Sequence, residues 1–549
     1  MKNLFRNKPD IVVFFVFLFL GFIAYRSTFG IYIPADNYYT FFLFEKHGLR
    51  GIIESIRITQ PYLVSTPLLF FLFKLFGLNS FCWIGFSVFL HVINSFLVYF
   101  LCSGLQKLFF SQSKKGVSFF SGLLFLLSPY QTEAVLWSPT DFVILVSTSF
   151  ILIACSFLSC YFNYKKSLHL LLFHFSFLFA VFSFESTFFF PAVSLLLFLS
   201  LRVKNETLIS FKHFLLKIFI PQIAFIFTYF LLCRLWYGHW LWHDESLHIA
   251  ISPVLYVGTF LKYLAKFFIL YRYLPLTEMD FILREQYSNL FFIFILFTSF
   301  GILLTIAVYL LRKKNEIVFL EFIFLSFVFS LVPVLPLDAS FLKYIYPDRY
   351  GYLPSVFAYF FLTTLLFSIF KKMAAPILCG ITILFWILLS QTIAIWNEVN
   401  DYCKLVIGNY QSMLKYNNVY ILGIPSYYKG IAALRSDFPT TIFFNHGQPS
   451  SLGNINVIAG YYYESASDSI SDVSFISDTI KVIGQTKKSS FFGYYGSWAR
   501  SYETEEYKVI FDSTGCSYTL LLKQGIPENS AFIYISNGEW RKANYHAIF

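Results

Sequence analysis

FVILVSTSFILIACSFLSCYF, residues 142–162, is followed by Asn163-Tyr164-Lys165-Lys166 and then by LHLLLFHFSFLFAVF, residues 168–182. Neither apolar run contains Asp, Glu, Lys or Arg. A helix made from either is apolar all round, which water does not tolerate on a protein surface. About 20 such residues reach across the hydrocarbon layer of a bilayer. The two lysines in the tight connection mark the side retained inside. The stretch therefore reads as a transmembrane hairpin with its turn in the cytoplasm.

The totals extend that reading to most of the chain. Of 549 residues, 57% are hydrophobic, 74 are Phe and only 13% are charged, against about 25% charged in a soluble protein. The net charge of +11 does not point to nucleic acid. Its basic residues sit in short loops between apolar runs, and no basic tract is interleaved with aromatics. Eight cysteines are present. Cys82, Cys102, Cys155, Cys160, Cys233 and Cys379 lie within or near apolar runs and serve as small apolar fillers. Cys403 and Cys516 lie in a polar tail and can pair if that tail faces an oxidising compartment.

Upstream, Lys2, Arg6 and Lys8 precede an apolar run from Ile11 to Tyr25 that has no small-residue cleavage site, so it reads as a retained first helix. The loop from Phe29 to Tyr62 then lies outside. Pro67–Leu78 is too short to span. Helix two, Phe81–Leu105, ends at Lys107, Lys114 and Lys115, and helix three, Val117–Leu127, surfaces at Ser128–Glu133. After the hairpin, helix six descends to Arg202 and Lys204. Helix seven, Phe214–Leu232, leads to an aromatic loop, Trp236–His248. Leu255–Leu270 carries Lys262 and Lys266, with Arg272 just beyond. Counting it as a span would put Arg312-Lys313-Lys314 outside, so it reads as an interfacial or re-entrant helix. The later spans are Leu290–Leu311, Val318–Leu335, Ser355–Phe370 and Ala375–Ile395, with Lys371 and Lys372 inside.

The expected fold class is mainly α: a polytopic membrane protein of about 11 transmembrane helices, N-terminus in and C-terminus out. After Trp396 the composition turns polar and rich in Gly, Ser and Tyr. Residues 401–549 read as a small β-containing extracytoplasmic domain, α+β or β-rich, after a membrane domain over 1–400. Thr441-Ile442-Phe443-Phe444 and Tyr507-Lys508-Val509-Ile510-Phe511 are its expected strands. No repeat period is present.

Polar groups converge on the outer ends of these helices. Asp36 lies in Ile33-Pro34-Ala35-Asp36-Asn37-Tyr38-Tyr39-Thr40, and Gln60-Pro61-Tyr62 follows at the far end of that loop. Gln131 and Glu133 follow helix three, with Trp137 and Asp141 beyond. Glu185 follows the second helix of the hairpin, residues 168–182. Asp338 and Lys343-Tyr344 precede Pro347-Asp348-Arg349-Tyr350-Gly351-Tyr352-Leu353-Pro354. Each has an ordinary explanation: Glu133 and Glu185 as helix caps, and Asp348 with Arg349 as a surface bridge worth under about 1 kcal/mol. His91 and Asn94, one turn apart, read as an interhelical packing contact. Ionisable groups at membrane depth are costly and line cavities or pair with one another. Five acids and an arginine on one face point to a shared polar site.

The order of motifs carries a resemblance. A first-loop Asp36 precedes Leu75-Phe76-Gly77-Leu78-Asn79 and Leu90-His91-Val92-Ile93-Asn94. Then come Ser128-Pro129-Tyr130-Gln131-Thr132-Glu133-Ala134-Val135-Leu136-Trp137, Phe184-Glu185, and Asp348-Arg349-Tyr350-Gly351-Tyr352-Leu353-Pro354-Ser355. Over roughly residues 30–400 this resembles the glycosyltransferase C superfamily, in the branch of protein O-mannosyltransferases and their bacterial relatives.

The resemblance implies transfer of a sugar, a mannose-like hexose, from a polyprenyl-phosphate carrier to an extracytoplasmic hydroxyl of a protein, lipid or glycan. Asp36 would be the general base, because a hydroxyl is a poor nucleophile at neutral pH. Arg349 would hold the carrier phosphate through its planar pair of donors. Glu133, Glu185, Gln131, Asp348 and Tyr352 would meet sugar or acceptor. Direct attack with one base implies inversion. No ligand spacing calls for a divalent metal, and a bacterial inner membrane is the expected home. The competing classes are a lipid-linked glycan flippase or transporter and a glycan polymerase or ligase. A flippase implies internal repeats and charges near the bilayer centre, whereas these acids sit at outer helix ends.

Overall fold

The computed structural model describes residues 8–31, 38–58, 61–110, 113–204, 209–240, 253–273, 314–336, 345, 348–434, 438–446, 455–463, 470–476, 479–484, 491–493, 501–512, 516–523 and 529–543. The chain divides into two compact units, Met1–Phe29 with Ile53–Ile393, and Gly30–Ile52 with Ala394–Phe549.

The first unit is helical. Its elements are α1 (Lys8–Ala24), then after α2 (Tyr38–His47) and α3 (Arg50–Ile58) come α4 (Ser65–Phe76), α5 (Ser80–Phe110), α6 (Lys115–Leu127), α7 (Thr132–Leu136) and α8 (Phe142–Tyr164). They continue with α9 (Ser167–Val181), α10 (Phe190–Val203), α11 (Phe211–Phe214), α12 (Ile220–Tyr237), α13 (Pro253–Leu264), α14 (Lys314–Leu331), α15 (Tyr352–Phe370) and the first part of α16 (Ala374–Asn409), whose residues from Ala394 on belong to the second unit. Among the described residues, five stretches are long and apolar enough to cross a membrane: Ser80–Phe110, Phe142–Tyr164, Glu185–Val203, Phe211–Tyr237 and one within Asp348–Met413. Pro9–Ala24, Ser65–Phe76, Lys115–Leu127 and Ser167–Val181 are apolar but shorter. The expected span Leu290–Leu311 lies outside the described residues.

The α8–α9 hairpin forms as its sequence dictates. Lys165 ends α8 in the left-handed region at φ 53°, and the chain turns straight into α9. The 31-residue α5 is the central post, packed on α1, α6 and α8. Gly122 of α6 lets these helices approach: a Cβ there would sit 2.7 Å from the Phe17 ring and 2.8 Å from the Ser95 carbonyl. Outward, Phe15, Phe19, Leu171, Phe175 and Phe227 are exposed. Large apolar side chains left open to this extent suit a lipid-facing surface.

The second unit holds α2, α17 (Phe438–His446) and two sheets. One sheet is mixed: β1 (Asn418–Tyr428) runs parallel to β11 (Ser530–Ser536), β3 (Ile455–Val457) and β4 (Ala459–Tyr463). The edge strands β12 (Glu539–Lys542), β7 (Phe491–Gly493) and β2 (Ile431–Ala432) pair antiparallel. All but the first residue of β1 are buried, the pattern of a strand covered on both faces. The other sheet is antiparallel, in the order β5 (Ile470–Ile476), β6 (Thr479–Gly484), β10 (Ser517–Leu522), β9 (Tyr507–Phe511), β8 (Ser501–Glu503). Tyr507, Val509 and Phe511 turn inward while Lys508 and Ile510 are more open, as expected of that stretch.

Four expectations need correction. Thr441–Phe444 is not a strand but part of α17. Pro439 suits a first helical turn, and packing on α2 decides the rest. Phe444 lies 5.6 Å from Tyr38 and Phe443 5.5 Å from Phe42, ring centre to ring centre. A four-residue alternation is too short to outvote such contacts. The Phe29–Tyr62 loop contains two helices, α2 and α3, and α2 buries Phe41 and Phe44. Cys403 and Cys516 are free thiols, and Cys403 is buried. The helix expected to end at Ile395 continues to Asn409.

Candidate functional site

The centre of the first unit's polar chemistry is a single 3-10 turn, Asp348–Gly351, at the head of α15. Its first two residues reach opposite partners. Lys266 Nζ donates to Asp348 Oδ1 at 2.9 Å and Arg272 Nη2 to Oδ2 at 2.5 Å. The side chains are sealed, with 1% of Lys266, 6% of Arg272 and none of Asp348 exposed. Arg349 turns instead to Glu133, whose Oε2 accepts from its backbone N–H at 2.8 Å and whose Oε1 accepts from Nη1 at 3.3 Å. The anticipated Asp348–Arg349 surface bridge is thus replaced by two buried pairings. Such pairs add little over an apolar substitute but cost about 3–5 kcal/mol when one partner is removed.

The guanidinium of Arg349 lies over aromatic rings as well as being paired. Its carbon lies 4.1 Å from the Trp137 ring centre and 4.9 Å from that of Tyr350, within the range of a cation–π contact. Nη2 donates to the Tyr350 hydroxyl at 3.3 Å, and Nε lies 3.8 Å from Asp141 Oδ1. Glu133 is placed by local chain chemistry: Ser128 Oγ accepts from the Tyr130 N–H, Pro129 opens a 3-10 turn, and α7 follows. Glu133 lies outside the membrane-length stretches. Burial raises its pKa to about 7, against the opposing pull of Arg349.

The other jaw is the segment from α13 onward. A π turn, Ala265–Ile269, carries Lys266, and Leu270 in the left-handed region (φ 55°) swings the chain into a 3-10 turn bearing Arg272. π turns recur at functional sites because they re-aim one side chain. Lys266 Nζ sits over the Tyr263 ring at 5.3 Å and Arg272 over Tyr130 at 4.7 Å. Gly351 is where this segment meets the turn. A Cβ on it would stand 2.8 Å from Phe267 Cζ and 2.9 Å from Tyr263 Cε1.

Of the sequence candidates, Glu133, Asp348 and Arg349 come together. Glu185 lies in a neighbouring cluster, accepting from the Tyr62 hydroxyl at 3.0 Å and the Tyr229 hydroxyl at 2.5 Å. Tyr62 ties that cluster to the turn. Burial, Glu185 and Tyr350 raise the pKa of its hydroxyl while Arg349 lowers it. Gln131 donates to Ser355 Oγ at 2.6 Å. Tyr352 is fully buried. His91 Nε2 faces the Leu126 carbonyl at 3.1 Å and must donate, so His91 Nδ1 accepts from the Tyr352 hydroxyl at 2.8 Å. Asn94 donates to the same hydroxyl at 3.2 Å. The packing role expected of His91 and Asn94 is therefore present, with Tyr352 as their partner. Asp36, Gln60, Asp338, Lys343 and Tyr344 lie outside the described residues.

Lys266 and Arg272 escaped the sequence reading, which treated them as interface charges. The signal available was their place in an otherwise apolar segment, where a cation implies a partner. Among the described residues no group of three or more His, Cys, Asp or Glu is arranged to hold a metal. The chain matches no family model and no curated protein.

Proposed function

We propose that the chain is a membrane glycosyltransferase that moves a mannose-like hexose from a polyprenyl-phosphate carrier to a hydroxyl on an extracytoplasmic protein, lipid or glycan. The reading includes 11 spans, an N-terminus inside, and a site facing outward from a bacterial inner membrane towards the cell envelope. What carries it is the buried charge cluster on the turn that heads an apolar helix, in which the Arg349 guanidinium lies over the Trp137 and Tyr350 rings beside Glu133. A carrier phosphate has its charge at the head of a long apolar tail. A desolvated guanidinium at the end of an apolar helix matches that chemistry.

In this mechanism the acceptor oxygen attacks the anomeric carbon as Asp36 takes its proton. The bond from that carbon to the carrier phosphate breaks, and the phosphate oxygen keeps the electron pair beside Arg349. Attack opposite the leaving group inverts the centre. An incoming phosphate competes with Glu133 for the same guanidinium, so the two anions share one cation.

The test is sugar transfer from a polyprenyl-phosphate donor, with donor affinity measured separately. Asp36→Asn should lower turnover by roughly 10²–10⁴ with donor affinity retained. Arg349→Ala should weaken both, and Arg349→Lys should rescue in part, since a point charge lacks the two-pronged contact. Near-normal transfer by Asp36→Asn removes it as base. Unchanged donor affinity in Arg349→Ala removes the phosphate assignment.

A further inference from the structure

We infer that Lys266 and Arg272 are positioning residues for the leaving-group side of this reaction, acting by clamping Asp348 and so fixing the turn from which Arg349 projects. The inference rests on the transferase reading. Both Asp348 oxygens are engaged, one by each cation, at 2.9 and 2.5 Å. The next residue is anchored on the opposite side, where the Arg349 backbone N–H and guanidinium both hold Glu133. Two consecutive residues thus tie one short turn to two separate segments, the π turn after α13 and α7. Gly351 lets the turn approach that same α13 segment closely, since a Cβ there would stand 2.9 Å from Tyr263 and 2.8 Å from Phe267.

A 3-10 turn has few internal hydrogen bonds to resist tilting, so external ties set its orientation. Releasing Asp348 lets the turn rotate about the Glu133 anchor, and the guanidinium plane moves with the backbone that bears it. A shift of about 1 Å at a reacting phosphate costs on the order of 10²-fold in rate. Neither Lys266 nor Arg272 needs to touch the donor for this. Their ammonium and guanidinium groups are occupied by Asp348 and stacked on Tyr263 and Tyr130.

The experiment uses the full-length protein in lipid nanodiscs, with undecaprenyl phosphate as the binding probe and undecaprenyl-phosphate mannose as donor. Lys266→Met should raise donor KM, lower kcat, and reduce kcat/KM for donor by about 10²-fold, with acceptor KM unmoved. Lys266→Arg should recover most of the loss by keeping a cation on Asp348. Should Lys266→Met fail to fold, Arg272→Lys carries the test, with a smaller rise in donor KM and the same unmoved acceptor KM. Folded variants with wild-type donor KM and probe affinity would overturn the inference. So would donor and acceptor KM rising together, or no rescue by Lys266→Arg. A wild-type protein that neither binds the probe nor transfers sugar overturns the transferase reading itself, before any variant is compared.

Discussion

Removing the carboxylate of Glu133 puts the buried pair to its most direct test. The residue is 1% exposed, and both its oxygens are used by Arg349, at 2.8 Å from the backbone and 3.3 Å from the guanidinium. Glu133→Ala leaves a cation that is only 11% exposed, with Asp141 Oδ1 3.8 Å from its Nε. It also deprives the Arg349 N–H of its acceptor. The expected loss is about 3–5 kcal/mol. Glu133→Gln keeps a side-chain oxygen for that N–H and should cost less by about 1–2 kcal/mol. The pH dependence follows from the raised pKa, 4.5 moving to about 7. A buried acid so shifted binds its proton more tightly folded than unfolded, so its stability contribution is greatest below 4.5 and declines as pH rises to about 7. The Gln variant lacks this slope, and its deficit against wild type should narrow between pH 5 and pH 8. Denaturant-induced unfolding in detergent micelles, followed by tryptophan fluorescence at both pH values, reads these quantities. A Glu133→Ala loss under about 1 kcal/mol, the value of an exposed pair, would refute the buried-pair reasoning. A gap that widens with pH would refute the direction of the shift.

Tyr229→Phe and Tyr62→Phe each remove one hydroxyl from the Glu185 carboxylate. Each should cost about 1.5–3 kcal/mol in the same unfolding measurement, as expected of bonds to a charged group. Tyr352→Phe strips the shared partner from His91 and Asn94 and should lower stability by about 1–3 kcal/mol, read by thermal unfolding in micelles. Gly351→Ala places a methyl group 2.8 Å from Phe267, so thermal unfolding should show an overpacking loss of about 1–3 kcal/mol.

The membrane character and helix order were legible in the residues because the signals are local. Uninterrupted apolar runs state their preferred solvent without reference to the rest of the chain. The α8–α9 hairpin lies within a few residues of its expected limits. Tyr507–Phe511 is likewise a strand, its alternation matched to one buried face. Thr441–Phe444 is a helix because α2, from far earlier in the chain, supplies the rings it packs on. The partners of the charges were decided in the same non-local way. Nothing in the spacing of Lys266, Arg272 and Asp348 identifies them as one clamp, because 82 and 76 residues separate the cations from the acid. Asp348 and Arg349, adjacent in sequence, reach separate partners because a tight turn sends successive side chains in different directions. Residue type and hydropathy determined which groups are expensive to bury. Only the tertiary structure decided which opposite charges meet, since that depends on the chain's return to the same point in space.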